Sequence, residues 1–185
     1  MKKGQLLISI LTGFTFLLTR PKKVTAPIKQ EDPAYYPGTN IKIKPGDLLF
    51  SPIGKSESKY VGHVGIVNHE NKVVHSVPAG LVQDSVVNYC RKFRSITVFA
   101  PNTPFLGIQA ADYLRTLYKE HPKAVYKVFT PLGNSDEVQY CTKTVWQCYM
   151  YGADVNLGNL SKEARAIHPQ LLKDKKNLTK KGAIR

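Results

Sequence analysis

Two arms rich in β-branched residues, Tyr60-Val61-Gly62-His63-Val64-Gly65-Ile66-Val67 and Lys72-Val73-Val74-His75-Ser76-Val77, constrain this chain most. The polar run Asn68-His69-Glu70-Asn71 separates them, so they are expected to pair as antiparallel strands around a tight loop. Side chains alternate faces along a strand, which puts His63, Gly65 and Val67 on one face and Val64 and Ile66 on the other. A hairpin centred on His69 sets His63 opposite His75, with Cβ atoms roughly 4.5–5.5 Å apart. A slip of one residue would put the two histidines on opposite faces.

A histidine held by a second polar side chain is half of a nucleophile-activating device. The chain holds three cysteines, Cys90, Cys141 and Cys148, as candidates for the other half. Cys141 and Cys148 are read on one helix, about 10 Å apart along its axis, too far for a mutual disulfide. That helix is expected to open at Ser135 as N-cap, with Asp136 and Glu137 in its first turn. Cys148 then falls deep in the helix and reads as core. Cys141 falls near the start, where amides and the helix dipole favour a thiolate.

The 27 Lys and Arg against 13 Asp and Glu are unevenly spread. Residues 1–26 carry five basic and no acidic residues, residues 27–160 carry 14 basic against 11 acidic, and residues 161–185 carry 8 against 2. Positive charge at the ends with no recognition motif between them argues against a nucleic-acid partner, despite a pI near 9.7. Met1-Lys2-Lys3 followed by the apolar run Leu6 to Leu18 has the form of an export signal. Its thirteen residues are fewer than the roughly 20 of a membrane span. Residues 1–26 are therefore read as a signal peptide or N-terminal anchor, and the protein as exported to the cell envelope or secreted, with or without a tether. Residues 27–40 read as a linker, residues 41–172 as one domain, and residues 173–185 as a basic tail offering a contact for an anionic membrane or wall polymer.

Further elements follow from pattern. Pro45-Gly46-Asp47 turns into a buried strand, and Gly54 to Lys59 forms a polar loop. Leu81 to Tyr89 can hold a strand or a short helix. Ser95 to Ala100 is a strand, and Thr103-Pro104 opens a helix closed by Pro122. Ile167 to Leu172 reads as a short helical turn docking on the body.

Pro45-Gly46-Asp47-Leu48-Leu49-Phe50, Gly62-His63-Val64-Gly65-Ile66-Val67, Val74-His75 and Tyr140-Cys141-Thr142-Lys143-Thr144-Val145-Trp146, in that order, resemble the circularly permuted NlpC-type cysteine hydrolases of the papain-like superfamily. The YiiX- or YycO-like branch is the most similar, and the twelve-residue step from His63 to His75 is similar to that of lecithin:retinol acyltransferase-like proteins. The resemblance spans roughly Ile41 to Leu172. It implies an α+β fold, with an antiparallel sheet of five or six strands packed against the cysteine helix. It also implies Cys141 as nucleophile, His63 as general base and His75 as the orienting third member, with no cofactor and no metal. Lys143 departs from the family pattern, in which an acidic residue commonly follows the cysteine.

The expected chemistry is acyl transfer through a thioester on Cys141. The substrate is a peptide amide, as in peptidoglycan, or a lipid acyl group handled by the same triad. Two other classes compete: a zinc site of His63, His75 and Cys141, which lacks any close-spaced ligand pair, and a non-catalytic basic module binding wall polymer or membrane.

Overall fold

The computed structural model describes residues 33–52 and 62–184. The export signal or anchor, most of the linker and the Gly54–Lys59 loop lie outside the described residues. Eight strands and three α-helices follow in order: β1 (Leu48–Ser51), β2 (His63–Val67), β3 (Lys72–Val77), β4 (Gly80–Ser85), α1 (Val86–Lys92), β5 (Ile96–Pro101), α2 (Pro104–Glu120), β6 (Val125–Tyr126), β7 (Val138–Gln139), α3 (Cys141–Gln147) and β8 (Leu178–Ile184). Six of them form one antiparallel sheet in the order β4-β3-β2-β1-β5-β8, while β6 and β7 make a short parallel pair. This is the expected α+β architecture, with an antiparallel sheet of the expected size.

The histidine hairpin forms, with its centre moved. Ile66 pairs with Val74 and Val67 with Val73, which centres the turn on Glu70. The amide of Asn68 donates to the Lys72 carbonyl, closing a three-residue loop whose last member, Asn71, has φ 56. An odd loop ending in a left-handed residue is a favoured hairpin closure, and the Asn68 side chain fixes it by accepting from the amides of Glu70 and Lys72. The change moves the pairing by two residues, so both histidines keep their shared face. Continuing that register one residue past the last pair sets His75 across from Gly65, with His63 diagonal to it.

Alternation along the strands divides the core into two layers. Leu48, Phe50, Val64, Ile66 and Val74 pack with Leu114 of α2 and with Cys141, Val145 and Trp146 of α3. Leu49, Val67, Val73 and Val98 face the other way and pack with Tyr36, Val86, Tyr89 and Phe93. Burying each such large apolar side chain contributes roughly 1.5–3 kcal/mol. Trp146 and Tyr149 are fully buried in the first layer, as expected for residues packing the cysteine helix on the sheet. The Tyr149 hydroxyl donates to the Gly46 carbonyl at 2.6 Å, tying the turn before β1 to the end of that helix. Gly46 has φ +83 and its Cα side meets Gly107 of α2 so closely that a Cβ has no room.

Four local expectations change. The 81–89 segment is both a strand and a helix: β4 ends at Ser85, whose hydroxyl oxygen caps α1 by accepting from the Asn88 amide. Ser135 is not the N-cap of the cysteine helix. It stabilises a turn by accepting from the Glu137 amide, β7 intervenes, and Tyr140 caps α3 so that Cys141 is its first residue. The basic C-terminal residues do not form a solvated tail: Leu178–Ile184 becomes β8, the sheet edge beside β5, with Leu178 and Ile184 buried and Lys180 and Lys181 pointing to solvent. Apolar residues at both ends of the lysine run outweigh its charge. Tyr36, within the expected linker, is likewise buried, and its hydroxyl donates to Asp47 at 2.9 Å.

Candidate active site

His63 opens β2 and His75 sits in β3, both directed to the layer covered by α1. The ring nitrogens His63 Nε2 and His75 Nδ1 are 2.8 Å apart, with the rings nearly perpendicular at 87°. His75 Nε2 lies 2.9 Å from Asp84 Oδ2. Asp84 reaches it from β4, where it stands opposite Val73 and so diagonal to His75 on the same face. Lys92, at the end of α1, donates to both Asp84 oxygens at 2.9 and 2.7 Å.

The partners assign the protons. Burial raises the Asp84 carboxyl, but the hydrogen bonds from His75 and Lys92, with the Lys92 charge, outweigh it and hold the group below the usual carboxylate range. An ionised carboxylate only accepts, so His75 carries its proton on Nε2 and accepts through Nδ1. His63 must then donate from Nε2, which leaves an unprotonated lone pair on its Nδ1. Burial, reinforced by His75, pushes His63 down to about 3, so the ring is a neutral base at physiological pH.

Aromatic residues of α1 and its C-terminal cap seal this relay. Phe93 lies parallel to the His63 ring with centroids 4.5 Å apart, and Tyr89 meets His75 edge-on at 5.2 Å. The Tyr89 hydroxyl is fixed by donating to the Leu49 carbonyl. Gly65, across from His75, makes room for Tyr89, because a Cβ there would stand 3.1 Å from its ring and 2.5 Å from Val73 Cγ1.

Cys141 lies in the opposite layer, 6% exposed, as the first residue of α3. Its sulfur is 3.9 Å from the Thr142 hydroxyl and receives hydrogen bonds from the amides of Val64 and Thr142. Val64 is the residue after His63, just past Ile66–Val74, where the β2–β3 ladder stops. Burial nevertheless raises the Cys141 thiol above its usual range, outweighing the Thr142 hydroxyl and the amides. The thiolate expected from the helix start is therefore not favoured in this state. The structure brings His63 and His75 together; among the described residues no hydrogen bond joins the Cys141 sulfur to either.

Lys143 is fully buried, and its ammonium donates to the carbonyls of Ser135 and Val138 at 2.9 and 2.8 Å. It thus braces the turn leading to Cys141, and burial lowers it to about 8. All three cysteines are free thiols. Among the described residues no group of three or more His, Cys, Asp or Glu side chains is placed to hold a metal ion, and no helix is long and apolar enough to cross a membrane.

Asp84 and Lys92 escaped the sequence reading. The signal for Asp84 was its place nine residues after His75 across the Pro78-Ala79-Gly80 turn, which becomes visible only once the segment is read as a strand.

No family model matches the chain, and no curated protein does. Among solved structures, the metalloprotein yiiX from Escherichia coli O157:H7, a DUF1105 protein, is similar with a TM-score of 0.55 and 17% identity, over 77% of this chain and 96% of that one. At that identity the likeness is one of fold, and it places the α+β architecture of this chain beside a YiiX protein.

Proposed function

We propose that the chain is an exported thiol hydrolase of the permuted NlpC-type, papain-like kind, cleaving an amide of a cell-wall peptide or similar molecule. Cys141 is the nucleophile, His63 the general base and His75 its orienting partner. The observation that carries this reading is the hydrogen-bonded series Asp84, His75, His63, which leaves the basic lone pair on His63 Nδ1. A buried relay of this kind has the form of a base held by a third group. The sulfur supports it by taking the amide of the residue next to His63.

In this mechanism thiol and imidazole are both neutral before attack. The proton passes from sulfur to His63 Nδ1 as the sulfur–carbon bond forms, the oxyanion is met by amides at the start of α3, and the same proton then goes to the leaving amine. Water releases the thioester. Contacts between base and nucleophile that are long without substrate tighten in the complex, in keeping with the absence of a hydrogen bond between Cys141 and His63 here.

The name of the similar structure, a metalloprotein, raises metal binding for this chain as well. Among the described residues His63, His75 and Cys141 do not converge as a metal-binding group, and both nitrogens of His75 are engaged by His63 and Asp84. Lipid esters and acyl transfer remain alternatives within the same triad.

Mass spectrometry after incubation with muramyl-type peptides and, separately, with fatty-acyl nitrophenyl esters tests the reading. A thioester mass on the Cys141 peptide, lost in Cys141→Ala, supports it, and the productive donor separates peptide from lipid chemistry. No adduct from either class overturns it.

A further inference from the structure

Ser76 follows His75 in β3, so its side chain turns to the opposite face, the one shared by Val74 and covered by α3. Ser76 lies two residues beyond Val74, and Val64 two residues before Ile66, on the side where the β2–β3 ladder has ended. Val64 is the residue whose amide donates to the Cys141 sulfur. On its other side Ser76 is paired with Leu81, whose side chain can neither donate nor accept. Ser76 is 0% exposed, and among the described residues its hydroxyl has no hydrogen-bond partner.

An unpaired buried hydroxyl costs stability, since it gives up its bonds to water and receives none in return. An alanine would fill the same space without that cost. The arrangement makes sense if the hydroxyl acquires its partner during the reaction. The place is suitable, because Ser76 turns its hydroxyl into the same layer as Val74 and Cys141.

We propose that Ser76 is a catalytic residue whose Oγ–H donates to the oxyanion formed when Cys141 attacks a carbonyl. The inference rests on the thiol-hydrolase reading. With p-nitrophenyl acetate the step is as follows: sulfur bonds to the carbonyl carbon, the C=O electron pair moves onto oxygen and is met by the Ser76 hydroxyl, and the thiol proton passes to His63. Collapse re-forms the C=O bond and expels p-nitrophenolate, leaving an acetyl thioester on Cys141.

The test compares two reagents on the full chain and on Ser76→Ala, with adducts mapped to the Cys141 peptide. Acylation by p-nitrophenyl acetate passes through an oxyanion, whereas alkylation by iodoacetamide does not. The expected result is a fall in the acylation rate of ~10- to 1000-fold, alkylation unchanged within about twofold, and a Tm equal to or above that of the parent. Unchanged acylation, or acylation and alkylation falling together with Tm, overturns the proposal. A parent protein that neither reagent modifies at Cys141 fails in the underlying hydrolase reading instead, before Ser76 is in question.

Discussion

Lys92 grips both oxygens of Asp84 while Asp84 Oδ2 also accepts from His75, so the last turn of α1 reaches back to hold the carboxylate that orients the histidine pair. The carboxylate is mostly buried, with a side chain 11% exposed, whereas Lys92 is 50% exposed. The consequence is a graded hierarchy. Asp84→Asn supplies an amide that can donate toward His75, reverses the proton assignment along the relay and removes the lone pair from His63 Nδ1. Thioester formation should then fall by about 10²- to 10⁴-fold with the fold retained. Lys92→Ala, acting through a solvent-screened ion pair, should cost tenfold or less. Single-turnover acylation of Cys141 in the two variants measures the difference, and equal effects would count against the relay.

The buried His63 should cost stability in moderate acid. His63 titrates near 6.5 unfolded and at about 3 here, so between those values the unfolded chain binds more protons and folding weakens as pH falls. Each pH step of one across that window costs on the order of 1.4 kcal/mol, a few kcal/mol in all. Asp84, held below its unfolded value, adds a further loss as pH falls below that value. Asp47 acts in the other direction: burial raises it from 3.8 to about 6. Its contribution favours folding below pH 3.8 and disappears as pH rises through about 6. Urea unfolding at pH 4, 5, 6 and 7 should show a nearly level parent between pH 4 and 6, where the His63 and Asp47 contributions oppose each other, and a decline toward acid in Asp47→Asn. A flat profile in both proteins would mean that His63 is not held neutral by burial.

Phe93 excludes water from His63 by lying parallel to its ring. Replacing it by Ala should destabilise the protein by about 3–5 kcal/mol and let His63 titrate closer to 6.5. Imidazole proton resonances followed over pH report this directly. An unmoved His63 would assign its low value to His75 instead.

Deleting residues 178–185 removes β8 and bares the β5 edge. Such an edge pairs readily with other chains, and the buried Leu178 and Ile184 are lost with it. The expected outcome is concentration-dependent aggregation and loss of a cooperative melt, measured by light scattering during heating. A soluble truncated protein with unchanged Tm would show that β8 is dispensable.

The hairpin was legible because β-branched arms and a short polar loop permit few arrangements, and moving the pairing by two residues leaves every side chain on its face. The cysteine helix was legible in its apolar stripe but not in its first residue: Ser135 makes a good cap in isolation, yet the pairing of Val138 with Val125 claims the intervening residues for β7. Asp84 was hidden because its role depends on β3–β4 register. The same alternation that joined His63 to His75 sends Val64 toward Cys141, and spacing in sequence does not reveal that the nucleophile and the base approach the sheet from different layers. Lys143, a departure from the family pattern in sequence, is explained by the carbonyls of Ser135 and Val138, three-dimensional partners that no local pattern records.

The central claim is that His63 acts on the Cys141 thiol. Its most direct test is the rate of iodoacetamide modification at Cys141 from pH 5 to 9 in metal-free buffer, mapped by peptide mass, in the parent protein and in His63→Ala. Cys90, raised to about 11 by burial, provides an internal reference thiol. Near pH 7 the parent Cys141 should react at least tenfold faster than in His63→Ala, with Cys90 unchanged. Equal rates in the two proteins across the range, or a Cys141 that never reacts while Cys90 does, would contradict it.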